Sequence, residues 1–274
     1  MNAFSYRVQT LQPSAIREIL KFTADPEVIS FAAGNPAPEA FPTEEIARIT
    51  NEILTTTPID ALQYSITEGY TPLRNWIKDD LKKKGMFNEN DEDVVITSGA
   101  QQAIEVVTKE ICNEGDTIIC EAPTFIGSLN AFRSYNAKLV GVEMEDDGIN
   151  IDKLEKALIE NPRTAFIYLI PNFQNPTGKT MSLEKRKAVL ALAQKYNVYI
   201  LEDNPYGDLR YIGENVPTIK SLDKNGNVLY AGTFSKTLAP GLRVGYLCAP
   251  KNVIAKAVAV SYTHLRAHET VLDL

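Results

Sequence analysis

Lys236 stands directly behind the apolar run Val228 to Phe234, with hydroxyls on both sides in Thr233-Phe234-Ser235-Lys236-Thr237. A lysine in bulk water gains nothing from that setting. A lysine that must be neutral to attack an aldehyde does gain, because desolvation and nearby positive charge lower its pKa toward working pH. Arg243, seven residues on, supplies such a charge and a guanidinium fork suited to a phosphate. Upstream, Leu201-Glu202-Asp203-Asn204-Pro205-Tyr206 puts a carboxylate at the end of an apolar strand, the usual place for ligands in open α/β sheets. In Pro171-Asn172-Phe173-Gln174-Asn175-Pro176-Thr177-Gly178, two prolines and a glycine make a tight strand exit that fixes side chains. Thr97-Ser98-Gly99-Ala100-Gln101-Gln102 is a small-residue loop between strand and helix, where free N–H groups and the helix dipole suit one phosphate.

These segments sit at the joints of a regular pattern. From about residue 94 onward, short β-branched apolar runs alternate with segments of helical period, which is the signature of βαβ units around a mainly parallel sheet. Seven strands are expected: Val94 to Thr97, Thr117 to Glu121, Lys138 to Glu143, Ala165 to Ile170, Val198 to Glu202, Val228 to Phe234 and Val244 to Ala249. Ile104, Val107 and Ile111 recur at helical spacing between the first two, with Gly115 as a helix stop. Ser182, Glu184 and the run Val189, Leu190, Ala193 mark another amphipathic helix. The first 45 residues differ: a helix-like stretch from Ser14 to Thr23 precedes Phe31 to Pro42, whose prolines and glycine suit an arm lying along another surface. After Val260 the helical pattern breaks, and Tyr262 to Leu274 reads as a truncated or non-native end.

Composition removes several classes of function. The chain has 274 residues, 44% of them hydrophobic, enough for one large domain plus part of a second. Its net charge is −7 and it has no Lys/Arg block, which argues against nucleic acid. The longest apolar runs, such as Ala165 to Ile170, fall far short of the ~20 residues that span a bilayer, so a soluble cytoplasmic protein is expected. Cys112, Cys120 and Cys248 lack paired spacing and read as reduced, buried thiols, and no metal site is expected. Gly178-Lys179-Thr180 is not a P-loop, because Phe173 occupies the place of its first glycine, and the absence of G-x-G-x-x-G disfavours a dinucleotide.

The stretch Tyr230 to Tyr246, with Lys236 in it, closely resembles the cofactor-lysine motif of the fold-type-I, class I/II aminotransferases, which use pyridoxal 5′-phosphate. The resemblance runs from about Ser14 to Val260, with four separated motifs in the family's order. It implies that Lys236 carries the cofactor as a Schiff base and moves protons, with Thr233, Ser235 and Arg243 around the cofactor phosphate. It makes Asp203 the partner of the protonated pyridine nitrogen, and Tyr206 and Asn175 donors to the phenolic oxygen. Ser98, Ala100 and Gln101 are implied at the phosphate, and Phe125, in Pro123-Thr124-Phe125, is implied as the ring stacked on the pyridine. Gln63-Tyr64-Ser65 resembles the segment whose tyrosine reaches the neighbouring subunit's phosphate, and Phe31 to Pro36 the segment that closes over substrate, with Gly34 near its carboxylate. Both imply a homodimer with shared sites. Taken singly, each residue has a plainer reading: a surface lysine, a turn or N-cap aspartate, an ordinary Asn-Pro-x-Gly turn, a core phenylalanine, a buried tyrosine.

The implied organisation is an N-terminal arm with part of a small domain (1–45), a cofactor-binding large domain (46–260) and a tail (261–274). The family continues into a small C-terminal domain whose arginine binds the substrate carboxylate, and none follows here, so the activity of this chain alone stays open. The implied reaction passes an amino group from an L-amino acid to a 2-oxo acid. The N-terminal segments most resemble the branch acting on 2-aminoadipate, kynurenine and branched or aromatic amino acids. The alternatives are another reaction of the same cofactor (β-elimination, decarboxylation), the cofactor-binding sensor domain of a transcription regulator, or an inert fragment.

Overall fold

The computed structural model describes residues 27–29 and 34–265, so the helix-like stretch from Ser14 to Thr23, Phe31 to Ala33 and the end of the chain lie outside the described residues. The elements run α1 (Thr43–Thr56), α2 (Pro58–Leu62), α3 (Thr71–Lys83), β1 (Glu92–Thr97), α4 (Ala100–Ile111), β2 (Thr117–Ala122), α5 (Ile126–Ser134), β3 (Lys138–Glu145), β4 (Gly148–Ile149) and α6 (Ile151–Glu160). There follow β5 (Thr164–Leu169), α7 (Leu183–Tyr196), β6 (Tyr199–Asp203), α8 (Ile219–Leu222), β7 (Val228–Thr233), β8 (Gly245–Pro250) and α9 (Lys251–Leu265).

One sheet of eight strands has the order β1-β8-β7-β6-β5-β2-β3-β4. Its centre, β7-β6-β5-β2-β3, is parallel, while β8 runs antiparallel to both β7 and β1, and β4 runs antiparallel to β3. All seven expected strands are present. The eighth, β4, is a correction: it pairs only Met144 with Ile149 and Glu145 with Gly148, and two residues are too short to show a period in sequence. Gly115, with φ 79°, turns the chain into β2 rather than capping α4, which already ends at Ile111. α9 continues to Leu265, so the break read after Val260 falls inside a helix. No helix among the described residues is long and apolar enough to cross a membrane.

Strand side chains alternate between faces, and so does the core. Phe166, Tyr168 and Ile170 join Ile118, Cys120 and Leu201 beneath Ile104 and Val107 of α4, Phe132 of α5 and Ile254 and Ala257 of α9. Ile167 and Leu169 go to the other face with Ile119 and Ile200, beneath Leu154 and Leu158 of α6 and Val189 and Ala193 of α7. The α7 start was readable in sequence because Ser182 caps it, accepting from the Lys185 N–H at 3.3 Å. With both faces covered, the central strands carry continuous apolar runs and end together at one edge. There the chain must leave the sheet through loops, and those loops hold the chemistry.

Candidate active site

β2, β5, β6 and β7 release their C-terminal loops around one cavity of about 620 Å³. Eleven of the thirteen residues singled out in sequence line it: Gly34, Ala100, Gln101, Phe125, Asn175, Asp203, Tyr206, Thr233, Ser235, Lys236 and Arg243. Ser98 and Tyr64 do not. Ser98 is exposed, and its carbonyl accepts from the cavity-lining Arg243 through Nη2 at 3.0 Å. Tyr64 is 61% exposed and outside the cavity of its own chain, which excludes the buried-tyrosine reading.

Lys236 follows β7 because Thr233 ends the strand and its Oγ1 accepts from the Ser235 N–H at 3.1 Å, turning the chain. Its Nζ donates to the Gly34 carbonyl at 2.8 Å and lies 6.0 Å from the centre of the Tyr206 ring. Its pKa is lowered, and burial is the cause. The second cause expected from sequence, the charge of Arg243, does not contribute. That side chain turns away to the carbonyls of Pro240 and Ser98 and lies against Gly99. Gly99 itself has φ 78°, and a Cβ there would come within 2.5 Å of Arg243 Nη2. The positive φ is what favours glycine at the N-cap of α4, and a Cβ there would also displace the end of the Arg243 side chain.

Asp203 ends β6 and is 4% exposed, so it is neither a helix cap nor a surface turn residue. Its Oδ2 accepts from the Tyr168 hydroxyl at 2.7 Å, and that hydroxyl accepts from Ser128 Oγ at 2.8 Å. Its Oδ1 is buried with no hydrogen-bond partner among the described residues. Burial raises the carboxyl to about 6, with the Tyr168 hydrogen bond pulling the other way. Asn175 Nδ2 donates to the Tyr206 hydroxyl at 3.3 Å, which joins the β5 and β6 loops across the cavity. Burial raises the Tyr206 phenol. At the opposite end, α4 begins at Ala100 behind a cap without a side-chain acceptor, beside Thr233, Ser235 and Arg243.

The loop carrying Asn175 is tied down from behind by residues that sequence reasoning missed. Arg186 on α7 is fully buried and donates to the carbonyls of Met181 at 3.0 Å, Pro217 at 3.1 Å and Pro171 at 2.9 Å, and to Asn172 Oδ1 at 2.7 Å. Asn172 donates on to Asn204 Oδ1 at 2.9 Å, next to Asp203. Gln174 donates to the Pro123 carbonyl at 2.8 Å and accepts from Thr177 Oγ1 at 2.7 Å. Tyr168, Ser128, Arg186 and Gln174 carried no sequence signal, since the partners that tie them to the site come mostly from other strands and loops.

The cavity combines an uncapped helix N-terminus with hydroxyls and a guanidinium, an unpartnered buried carboxylate oxygen, and a partly desolvated lysine near the Tyr206 ring. That donor set fits a phosphorylated aldehyde with a basic ring nitrogen, and the orphaned Asp203 Oδ1 is the strongest mark of it. The family model for aminotransferase class I and II matches residues 26–265, and the chain belongs to that family, whose enzymes of this kind use pyridoxal 5′-phosphate. It is 44% identical over 257 residues to aromatic-amino-acid aminotransferase 1 of Thermococcus litoralis, covering 92% of this chain and 62% of that protein. It is 40% identical over 260 residues to 2-aminoadipate transaminase of Thermus thermophilus, covering 93% and 64%. The crystal structure of Pyrococcus horikoshii kynurenine aminotransferase, in complex with PMP, superposes with a TM-score of 0.90 at 38% identity, covering 95% of this chain and 65% of that one. The chain thus spans slightly less than two thirds of the length of these relatives.

Proposed function

We propose that this chain is the cofactor-binding large domain of an aminotransferase that passes the amino group of an L-amino acid to a 2-oxo acid. The observation that carries the reading is the buried, unpartnered Asp203 Oδ1 in the same cavity as the desolvated Lys236. When bound, the cofactor supplies a carbonyl carbon with which amines condense and a ring that withdraws electrons from the carbon bearing the amino group. Asp203 holds a proton at the ring nitrogen through Oδ1, while Tyr168 fixes its other oxygen. Asn175 and Tyr206 orient the ring from their hydrogen-bonded pair, and Phe125 covers a ring face. The first turn of α4 at Ala100 and Gln101, with Ser98, Thr233, Ser235 and Arg243, holds the phosphate. Lys236 Nζ is the amine that would hold the cofactor's carbonyl carbon, and its neutral form would serve as the base that takes the substrate Cα proton. Gly34, whose carbonyl touches that Nζ, borders the space for the substrate carboxylate, with Asn175 beside it.

Bulky or broad substrates are proposed, of the 2-aminoadipate or aromatic kind that the relatives' names carry, or branched-chain. The working form is a homodimer in the cytoplasm. Tyr64, exposed in its own chain, reaches the partner's phosphate site, and Ile59 and Leu62 beside it are 69% and 75% exposed. The test is an absorption spectrum of the protein with pyridoxal phosphate, before and after borohydride, alongside Lys236→Ala. A cofactor band fixed by borohydride only in the wild type, and a 2-oxo acid formed with aminated cofactor, are expected. An equal band in Lys236→Ala, or release of ammonia or CO2 in place of amino transfer, refutes the proposal.

A further inference from the structure

Behind the cavity lies a second buried carboxyl that the chemistry above does not use. Glu121, next to last in β2, is 1% exposed. Its Oε2 accepts from the Ile170 N–H at 3.1 Å and from Gln174 Nε2 at 3.3 Å. Its Oε1 has no hydrogen-bond partner among the described residues. The titratable groups facing it are Asp203 on β6, Tyr168 on β5 and the Cys120 thiol beside it on β2, and none is a cation. A buried carboxylate with one oxygen unsolvated and no counter-ion is strongly disfavoured, and a neutral acid costs far less there.

What Glu121 holds is the frame of the cofactor site. Ile170 is the first residue beyond β5 and lines the cavity. Gln174 is the hub of the turn that follows: its N–H donates to the Lys179 carbonyl at 2.8 Å, its own carbonyl accepts from the Gly178 N–H at 2.6 Å, and its side chain bridges to the Pro123 carbonyl two residues before Phe125. Glu121 thereby joins the loop that presents Asn175 to the loop that presents Phe125.

We infer that Glu121 is a positioning residue that acts as a neutral carboxylic acid, clamping Ile170 and Gln174 so that Asn175 and Phe125 keep their places on opposite walls of the cofactor cavity. The inference rests on the proposed cofactor reading only for the purpose of the clamp, not for its protonation. Burial is what raises this carboxyl to about 8, so it is neutral at pH 7 and ionises only as pH passes that value. With a folded pKa above the ordinary 4.5, its contribution to stability is present at low pH and fades as pH rises through about 8.

The experiment has two readouts on wild type, Glu121→Gln and Glu121→Ala. In the cofactor-free protein, wild-type-minus-Gln infrared difference spectra should show the carbonyl stretch of a protonated carboxylic acid at pH 6.5, disappearing near pH 8 to 9. In the protein loaded with pyridoxal phosphate, Glu121→Ala should weaken cofactor affinity about tenfold, from donors left without an acceptor, and shift the pH midpoint of the cofactor absorbance. Glu121→Gln should rescue both and remove the relative loss of affinity that the wild type shows above pH 8. If Glu121→Ala does not fold, Gln174→Ala cuts the same bridge and should give the same shift. An absent infrared band at pH 6.5, or a Gln variant as impaired as the Ala variant, overturns the inference. So does a Glu121→Ala protein that melts earlier but keeps the wild-type absorbance midpoint, since the residue is then merely structural. Failure of the wild type to bind pyridoxal phosphate at all would sink the proposed function and leave the infrared result standing.

Discussion

Replacing Asp203 with Asn should make the cofactor-free protein more stable while damaging the cofactor site. Folding moves this carboxyl from 3.8 to about 6 because it is buried with one oxygen unpartnered. A group whose folded pKa is raised contributes stability below its unfolded pKa and loses it as pH rises through the folded value. At pH 8 the ionised Asp203 therefore costs the empty protein roughly 3 kcal/mol, about two pKa units at 1.36 kcal/mol each. Asn removes the charge, and its amide oxygen still accepts from the Tyr168 hydroxyl, so a gain of about 1–3 kcal/mol is expected at pH 8. At pH 4, where Asp203 is itself protonated, the gain should nearly vanish. Urea unfolding of both cofactor-free proteins at the two pH values measures it. With pyridoxal phosphate present the order should reverse, because the wild type alone offers a carboxylate to the ring nitrogen. An Asn variant that is no more stable than wild type at pH 8, or one whose advantage is the same at both pH values, refutes the assignment of Oδ1 as a carboxylate kept without a partner for the cofactor.

Arg186→Leu should cost about 3–5 kcal/mol in urea unfolding, since it strips one Asn oxygen and several buried carbonyls of their shared donor, and a loss below about 1 kcal/mol would contradict that network. For the shared site, mixing inactive Lys236→Ala with inactive Tyr64→Ala should restore activity through hybrid dimers carrying one intact site, roughly a quarter of the wild-type level per protomer for random pairing. No recovery on mixing, with dimers present by light scattering, would place Tyr64 outside the site.

The residues that line the cavity were legible because each motif is contiguous and sits where an apolar strand ends, so Lys236, Asp203, Asn175 and Ala100 announce themselves locally. The central strands were legible for the same reason, since burial on both faces leaves unbroken runs such as Ala165 to Ile170. Tyr168 lies inside that run and looks like core packing; only the parallel pairing of β5 with β6, which sets Tyr168 against Leu201, brings its hydroxyl to Asp203. Glu121 and Gln174 are 53 residues apart in sequence and meet only because β2 and β5 are neighbours in a sheet whose order is not that of the chain. Arg243 shows the converse. Its type and spacing pointed to two roles, and the geometry removes one, because the side chain turns toward Ser98 and Gly99 instead of Lys236.

Glu121 and Asp203 show how one sheet edge holds two buried carboxyls in different states. Both lie at the C-terminal ends of parallel strands, both are nearly inaccessible, and each has one oxygen engaged and one without a partner among the described residues. Burial raises both: Asp203 reaches about 6 against the opposing Tyr168 hydrogen bond at 2.7 Å, and Glu121 reaches about 8, where the Asp203 charge adds to burial against the bonds from Ile170 and Gln174. At neutral pH the first is predominantly charged and the second neutral. The charged group opens on the cavity, where a cationic ring can complete its hydrogen bonding. The neutral group is sealed behind the walls, where a charge would face Asp203 with nothing to offset it. The charge of Asp203 thus adds to burial in keeping Glu121 neutral, and the roles proposed for the two differ accordingly, Asp203 toward the cofactor and Glu121 toward the loops of Asn175 and Phe125.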